Sequence, residues 1–134
     1  MRLTQEDRAA ITELISLHGH LVDSGELDRL HELFTDDITY DLSDFGLGSL
    51  EGIPAIRDAA LALGEANPVG HHVTNVILTE HADDEAHARS KGIAISKDGT
   101  SGSVTYEDRF TRDERGWRIR YRKVEARRTP LGAG

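Results

Sequence analysis

The chain has 134 residues, of which 37% are hydrophobic, and its 24 acidic and 16 basic side chains give a formal net charge of −8. This length and composition suit one compact domain, which we expect to cover residues 1–134. Nucleic acids and anionic membranes bind clustered Lys and Arg side chains, so the acidic balance argues against both as partners. The absence of cysteine excludes disulfides and zinc–thiolate sites. The sequence shows no signal-peptide pattern and no long apolar run, and we expect a cytoplasmic protein.

The first segment of the chain has helical periodicity. Thr4 followed by Asp7 resembles a capping box, with Asp in place of the usual Glu or Gln. Apolar residues then recur at helical spacing, which predicts a helix over 5–22. Ser24 and Gly25 are typical of the end of a helix.

Two further helices and one strand are predicted before the middle of the chain. Apolar spacing predicts a short second helix over 26–34, and alternation predicts a first strand over 38–42. Pro54 fits the first turn of a third helix over 53–63, and Gly64 fits its C-terminal cap.

The second half of the chain has the period-two pattern of β-strands. Four strands are predicted between turn signals, at 71–79, 85–96, 102–112 and 116–127. Helices followed by an antiparallel meander indicate an α+β fold, in which a sheet curls over helices packed on one face. Asp23 and His18, on the first helix, can then face His71 across the space where a ligand cavity would form.

Asp23 and His71 are the most informative pair in the sequence. A carboxylate that orients and polarises an imidazole is a small general acid–base device, because an imidazole with a pKa near neutrality can take a proton and return it. Since His71 and His72 are neighbours on a strand, only one of them can enter the pocket. The residues also allow a simpler interpretation, in which Asp23 is a turn residue and the histidines only begin a strand.

Three residues on the other strands are candidates for binding substrate. Tyr40 lies on the first strand as a core or lining residue, and Tyr106 alternates with Asp108 on a later strand. Asp108 either lines the pocket or pairs with an arginine at its rim, and we favour the rim. Inward-facing small residues on the strand 85–96 would leave room for a bulky ligand, although Ile93 and Ile95 could instead be the core side.

The last strand alternates between two kinds of residue. One face carries Trp117, Ile119 and Tyr121, and the other carries Arg118, Arg120 and Arg122. We expect the first set to face the interior, so that the Tyr121 hydroxyl either donates to a substrate oxygen or lies at the rim. The arginines between 112 and 128 are interpreted as a solvated strand face rather than an anion site.

Sequence motifs for metals and nucleotides are missing. His18 and His20 lie on different faces of a helix, and no His-Glu-x-x-His pair, Gly-x-Gly-x-x-Gly turn, P-loop or serine elbow is present. We therefore expect no metal and no cofactor. What remains is proton transfer, such as elimination, isomerisation or aldol-type cyclisation of a small, largely apolar molecule.

Five segments of the sequence resemble a known family in the expected order. They read Val-Asp-Ser-Gly-Glu-Leu-Asp-Arg-Leu at 22–30, Leu-Phe-Thr-Asp-Asp at 33–37, His-His-Val-Thr-Asn at 71–75, Tyr-Glu-Asp-Arg-Phe at 106–110 and Gly-Trp-Arg-Ile at 116–119. They resemble the SnoaL-like branch of the nuclear transport factor 2-like (NTF2-like) superfamily. That resemblance implies a cone, in which a curved, mainly antiparallel sheet wraps around three N-terminal helices and encloses a pocket.

The resemblance also implies roles for the polar residues. Asp23 matches a carboxylate that partners a histidine in the dehydratases and dehydrochlorinases of the superfamily. His71 is the preferred partner because it stands four residues before Asn75, as the family histidine commonly does, and His72 is the alternative. His18 is either a core residue or the counterpart of a cationic residue that stabilises negative charge in the dehydrochlorinase pattern.

The function that follows is a cofactor-independent dehydratase or other lyase, an isomerase or a cyclase acting on a polyketide- or terpenoid-like metabolite. Val22 stands where scytalone dehydratases have a tyrosine, which counts against scytalone-type chemistry. The alternative is a non-catalytic ligand-binding protein or the small subunit of a ring-hydroxylating oxygenase. The resemblance further implies a homo-oligomer, either a dimer or a trimer.

Overall fold

The computed structural model describes residues 3–132, which form an α+β structure. The two α-helices are α1 (Gln5–Asp23) and α2 (Ile53–Leu63). The strands are β1 (Phe34–Asp41), β2 (Ser49–Glu51), β3 (Gly70–Glu80), β4 (Glu85–Ile95), β5 (Ser101–Asp113) and β6 (Gly116–Arg127). No helix within residues 3–132 is both long enough and apolar enough to cross a membrane.

Helix α1 begins with the capping box that the sequence predicts. The Thr4 hydroxyl accepts a hydrogen bond from the Asp7 amide at 3.0 Å, and the Asp7 carboxylate accepts one from the Thr4 amide at 3.0 Å. The same carboxylate accepts bonds from the Trp117 indole at 3.2 Å and the Arg112 guanidinium at 2.8 Å. The Asp7 carboxylate that takes part in the capping box therefore also ties the helix to strands β5 and β6.

The region between the two α-helices differs from the prediction. The second helix is a shorter 3-10 helix, Leu27–Glu32, and Phe34 belongs to β1 instead. Strand β1 begins earlier than the predicted 38–42 because Phe34 is fully buried and pairs with Ile119 of β6. The sequence did not predict β2, whose three residues are too few to show a periodicity.

The six strands form one curved sheet in the order β2-β1-β6-β5-β4-β3. Strands β3 to β6 form the predicted antiparallel meander. Strand β1 joins it in parallel beside β6 and carries β2 in antiparallel pairing on its other side. Because α1 packs against β3 and β6, its last turn lies beside the first residues of edge strand β3.

A bulge changes which residues of β6 face the interior. Arg109 of β5 pairs with Tyr121, whereas the next residue, Phe110, pairs with Ile119, so Arg120 is an extra residue in β6. A strand's side chains change face at such an insertion. Consequently Arg122 is fully buried, and the prediction that it lies on a solvated face is wrong.

The inner face of β4 carries small residues. Ala86, Ala88, Ser90 and Gly92 are buried, while Ile93 on the other face is 44% exposed. Gly92 is needed for the neighbouring side chain, because a Cβ atom added there would lie only 2.4 Å from Cε2 of Tyr106. The Tyr106 ring thus lies directly against the β4 backbone.

Candidate active site

Asp23 and His71 meet at the junction of α1 and β3. Asp23 is the last residue of α1, and His71 is the second residue of β3. The Oδ1 atom of Asp23 lies 2.6 Å from Nδ1 of His71, within hydrogen-bonding distance. The other ring nitrogen of His71, Nε2, has no hydrogen-bond partner among residues 3–132.

The same carboxylate holds the main chain of His71. Its Oδ2 atom accepts a hydrogen bond of 2.9 Å from the His71 amide, which faces the free edge of the sheet. The side chains remain partly open to solvent, with 24% of Asp23 and 15% of His71 exposed. Asp23 therefore fixes both the position of the strand edge and the orientation of the imidazole.

A carboxylate in the last turn of a helix is unfavourable for stability alone. The carbonyl groups at that end carry partial negative charge, which an aspartate repels and a basic residue would complement. The two hydrogen bonds from His71 offset that repulsion. The placement of Asp23 is therefore better explained by its contact with His71 than by helix capping.

Asp23 and His71 are called the dyad below. His18 lies five residues before Asp23 on α1, and its side chain is buried beneath the dyad. Its ring centroid is 5.9 Å from that of His71 and 6.0 Å from that of Tyr40. Its Nε2 lies 3.3 Å from the Tyr40 hydroxyl. Burial, followed by the charges of Arg122 and His71, lowers the pKa of His18 well below its usual value. The imidazole of His18 is therefore neutral at pH 7, which leaves it as a hydrogen-bonding group rather than a cation.

The interior beneath the dyad, next to Tyr40 and Tyr106, contains a buried cation. It is Arg122, which forms a fully buried ion pair with Asp108. Arg122 Nε and Nη2 donate to the two carboxylate oxygens at 2.7 and 3.0 Å. Burial acts to lower the pKa of Arg122, but the Asp108 carboxylate outweighs it and the pKa is raised. The guanidinium also lies 4.3 Å from the centre of the Tyr106 ring. Burial raises the pKa of the neighbouring Tyr40 to about 12, so its hydroxyl stays protonated.

Three polar atoms of this interior are buried without a hydrogen-bond partner in the described part of the chain. They are His18 Nδ1, Ser90 Oγ and Arg122 Nη1. Leaving a buried polar group unpaired costs about 1–3 kcal/mol, and more for a charged group. Ordered water molecules or the polar groups of a bound ligand would remove that cost.

The remaining predicted site residues divide between the two faces of the sheet. Tyr40 and Tyr106 are buried on the inner face, a position that suits a core residue as well as a lining residue. His72 is exposed on the other side of β3 from His71. Tyr121 does not share a face with Trp117 and was wrongly placed in the interior, because the bulge at Arg120 turns it outward. There its hydroxyl donates to Asp41 at 3.2 Å.

The preferred rim location of Asp108 is also wrong, because its side chain is fully buried with Arg122. Sequence reasoning missed Arg122 as a site residue, since strict alternation along β6 assigns it to the outer face. One signal was available: an aspartate at an inward position of β5 needs a buried cation. That requirement does not say which arginine supplies it.

Cavities of about 470, 480 and 400 Å³ lie at three other places on the molecule. The first is between α1 and the β5–β6 turn, the second between α2 and the 3-10 helix, and the third on the outer face of the sheet. None of these three is lined by Asp23 or His71. Within residues 3–132 no group of three or more His, Asp or Glu side chains is arranged to hold a metal ion.

Comparison with known proteins agrees with this architecture. The profile of the SnoaL-like domain, a family of the NTF2-like superfamily, matches residues 4–123. No curated protein sequence matches the chain. The predicted family and fold class are thereby confirmed.

Solved structures share the fold over nearly the whole chain. A Novosphingobium aromaticivorans protein provisionally described as an aromatic ring hydroxylase is 29% identical, with 96% of this chain and 94% of that chain covered and a TM-score of 0.81. LinA is 21% identical, with 95% and 90% covered and a TM-score of 0.78. Another N. aromaticivorans protein, provisionally described as a scytalone dehydratase, is 19% identical, with 95% and 94% covered and a TM-score of 0.75.

Proposed function

Because the chain belongs to the SnoaL-like domain family, whose fold supports cofactor-independent enzymes, we propose that it is an acid–base enzyme. It acts as a lyase, an isomerase or a cyclase on a small, largely apolar molecule such as a polyketide- or terpenoid-like metabolite. The shared step of these reactions is removal of a proton next to a carbonyl or a leaving group. The observation that carries the proposal is the 2.6 Å contact between Asp23 and His71, with Nε2 of His71 unpartnered within residues 3–132.

The proposed base is Nε2 of His71. A hydrogen bond from Nδ1–H to Asp23 selects the tautomer in which Nε2 carries the lone pair. When Nε2 takes the substrate proton, the carboxylate stabilises the imidazolium that forms. The imidazolium then returns the proton, either to another carbon of the substrate or to its leaving group, which regenerates the dyad.

The proposed charge-stabilising groups lie deeper in the fold. Negative charge that develops on a substrate oxygen or leaving group is stabilised by preorganised donors in a site that excludes water. Arg122 offers one guanidinium nitrogen that Asp108 does not use, and neutral His18 offers an unpartnered ring nitrogen. Because Asp108 keeps Arg122 charged in a buried site, the cation is available at any physiological pH.

The surroundings favour an apolar substrate with a single polar group. The interior beside the dyad contains the rings of Tyr40 and Tyr106 and small residues of β4. Apolar walls with a few convergent polar atoms are typical of small-molecule sites. The partly exposed dyad stands between that interior and the solvent.

The first experiment measures proton abstraction without knowledge of the natural substrate. The protein is incubated in D₂O with small apolar ketones such as 2-tetralone, and deuterium incorporation is followed by mass spectrometry. We expect His71→Ala to lower the enzyme-dependent rate by about 10²–10⁴-fold, the usual contribution of a positioned base. Asp23→Asn should also lower it, since the tautomer is no longer fixed.

The adjacent histidine provides the matched comparison. His72→Ala removes an imidazole one residue away on the exposed face of the strand, and we expect it to leave the rate unchanged. Loss of activity in His72→Ala with full activity in His71→Ala would move the base to His72. Equal rates in the wild type, His71→Ala and buffer would contradict the enzyme proposal.

A second candidate function is a small subunit of a ring-hydroxylating oxygenase. It is supported by the 29% identical relative described as an aromatic ring hydroxylase. Such a subunit needs no base, so the deuterium assay separates the two candidates. Homo-oligomer formation stays a prediction that size-exclusion chromatography with light scattering would test.

A further inference from the structure

We propose that Gly19 is a positioning residue for the Asp23–His71 dyad, an inference that rests on the function proposed above. Gly19 is buried in α1, one turn before Asp23 and therefore on the same side of the helix. A Cβ atom added at this position would lie 2.8 Å from the carbonyl oxygen of His71 and 3.2 Å from its Cβ. The helix can approach the strand this closely only because residue 19 has no side chain.

The contact involves the same strand residue that Asp23 binds. In a β-strand the amide and carbonyl groups of one residue point to the same side. The His71 amide points away from β4 and donates to Asp23, so the His71 carbonyl also faces α1, where Gly19 meets it. Gly19 and Asp23 thus contact the carbonyl and the amide of a single residue.

The obstruction that a side chain would cause is not easily relieved. Contacts under 3.0 Å force a movement, and here the atom in the way is a main-chain oxygen rather than the end of a flexible side chain. Strand β3 is held on its other side by pairing with β4, His71 being opposite Ala94. The helix must therefore move away, and the 2.6 Å contact between Asp23 and His71 lengthens with it.

Helix propensity does not explain why residue 19 is glycine. Glycine in a helix interior is less favourable than alanine. If the close approach had no role, Gly19→Ala would stabilise the protein and raise its Tm. We instead expect Gly19→Ala to displace the helix and to break the contact between Asp23 and His71. The direction in which Tm changes therefore distinguishes the two interpretations.

The test compares Gly19→Ala with Ser16→Ala, an exposed position on the same helix where alanine adds propensity without meeting β3. Three quantities are measured: the Nδ1–H proton resonance of His71 in ¹⁵N-histidine-labelled protein, hydrogen exchange of the His71 amide, and deuterium incorporation into 2-tetralone. In Gly19→Ala we expect the resonance to be lost, the amide to exchange faster and the rate to fall on the order of 100-fold, as for a displaced catalytic group. Ser16→Ala should change none of them.

A longer carboxylate supplies the rescue. Asp23→Glu alone should lower the rate, because the side chain is too long for the native gap. In the Gly19→Ala background the same change should restore the resonance and part of the rate, since it spans the widened gap. Asp23→Glu should thus lower the rate in the wild-type background and raise it in the Gly19→Ala background. That reversal is not expected if Gly19 has only a structural role.

The outcomes separate this proposal from the proposed function. Loss and rescue of the Nδ1–H resonance in a protein without deuterium-exchange activity would support the positioning role and contradict the enzyme. Retention of all three quantities in Gly19→Ala, with a raised Tm, would overturn the positioning role alone. If Gly19→Ala does not fold, the double variant decides: its folding with the resonance present supports the proposal, and its failure to fold overturns it.

Discussion

The two faces of the sheet around β5 and β6 carry the same three residue types in different surroundings. On the inner face, Arg122 pairs with Asp108 and lies over the Tyr106 ring. On the outer face, Arg109 lies 4.8 Å from the centre of the Tyr121 ring, whose hydroxyl donates to Asp41. The inner set is buried and the outer set is partly open to water.

The difference shows that environment, not residue type, decides what an arginine does. In water the outer charges are screened, and each contact adds little free energy. In the interior the charge of Arg122 must be paired, and any hydrogen bond that its remaining nitrogen donates is stronger than it would be in water. One inserted residue, Arg120, places Arg122 on the inner face of β6 and Tyr121 on the outer face.

The largest expected effect comes from breaking the inner set. Asp108→Asn leaves the guanidinium of Arg122 buried without its counter-ion, and we expect the free energy of unfolding to fall by about 3–5 kcal/mol in urea titrations. Asp41→Asn makes the same chemical change on the outer face and should cost less than about 1 kcal/mol. Equal losses would contradict the contrast between the two faces.

Replacing both partners sharpens that result. Arg122→Met combined with Asp108→Leu removes the buried charges together, which in other proteins is neutral or stabilising. We expect the double variant to recover most of the stability lost in Asp108→Asn. It should not recover deuterium-exchange activity, because the proposed charge-stabilising group is gone.

The next largest effect is the pH dependence due to His18. Its folded pKa is lowered, by burial first and then by Arg122 and His71, so the unfolded chain binds a proton that the folded protein does not. The contribution of His18 to stability is complete above about pH 6.5 and falls by up to about 1.4 kcal/mol for each pH unit below it. His18→Gln should therefore reduce the acid-side fall in the free energy of unfolding, measured in urea titrations from pH 7.5 to 5.

His87 is the matched outer residue for this measurement. Burial, followed by His81, also lowers its pKa, but it lies on the outer face, where it is only partly buried. We expect His87→Gln to change the acid-side fall in the free energy of unfolding less than His18→Gln does. The reverse order would mean that the interior around His18 is hydrated.

The smallest effect is expected in the outer set. A double-mutant cycle of Arg109→Ala and Tyr121→Leu should give a coupling energy of about 0.5–1 kcal/mol, the range for exposed cation–π pairs. We expect neither change to alter deuterium exchange. A coupling energy above about 2 kcal/mol would place this pair in the same class as buried ones.

Much of the fold follows from patterns within short segments. The capping box at Thr4, the proline in the first turn of α2 and the four long strands were predicted from local spacing and observed. The extent of β1 was not, because Phe34 is drawn into the sheet by Ile119 near the other end of the chain. No local pattern carries that information.

The site shows the same limit. Local chemistry offered Asp23 and His71 as candidates and the family resemblance favoured them. The fold brings them together, although their catalytic role stays a prediction. Arg122 and Tyr121 lie on the faces opposite to those predicted, because a bulge interrupts the period of two along β6. The bulge can be recognised only from the pairing of β6 with β5. Gly19 gave no signal, since its importance lies in a contact with a distant carbonyl.

The parallel pairing of β1 with β6 makes the sheet depend on a contact between distant parts of the chain. Without β6, the β1–β2 ribbon would have no pairing with the meander of β3, β4 and β5. Long-range pairings of this kind are slow because a large loop must close first. Since β6 also carries Arg122, the strand that joins the two halves of the sheet also brings the counter-ion of Asp108.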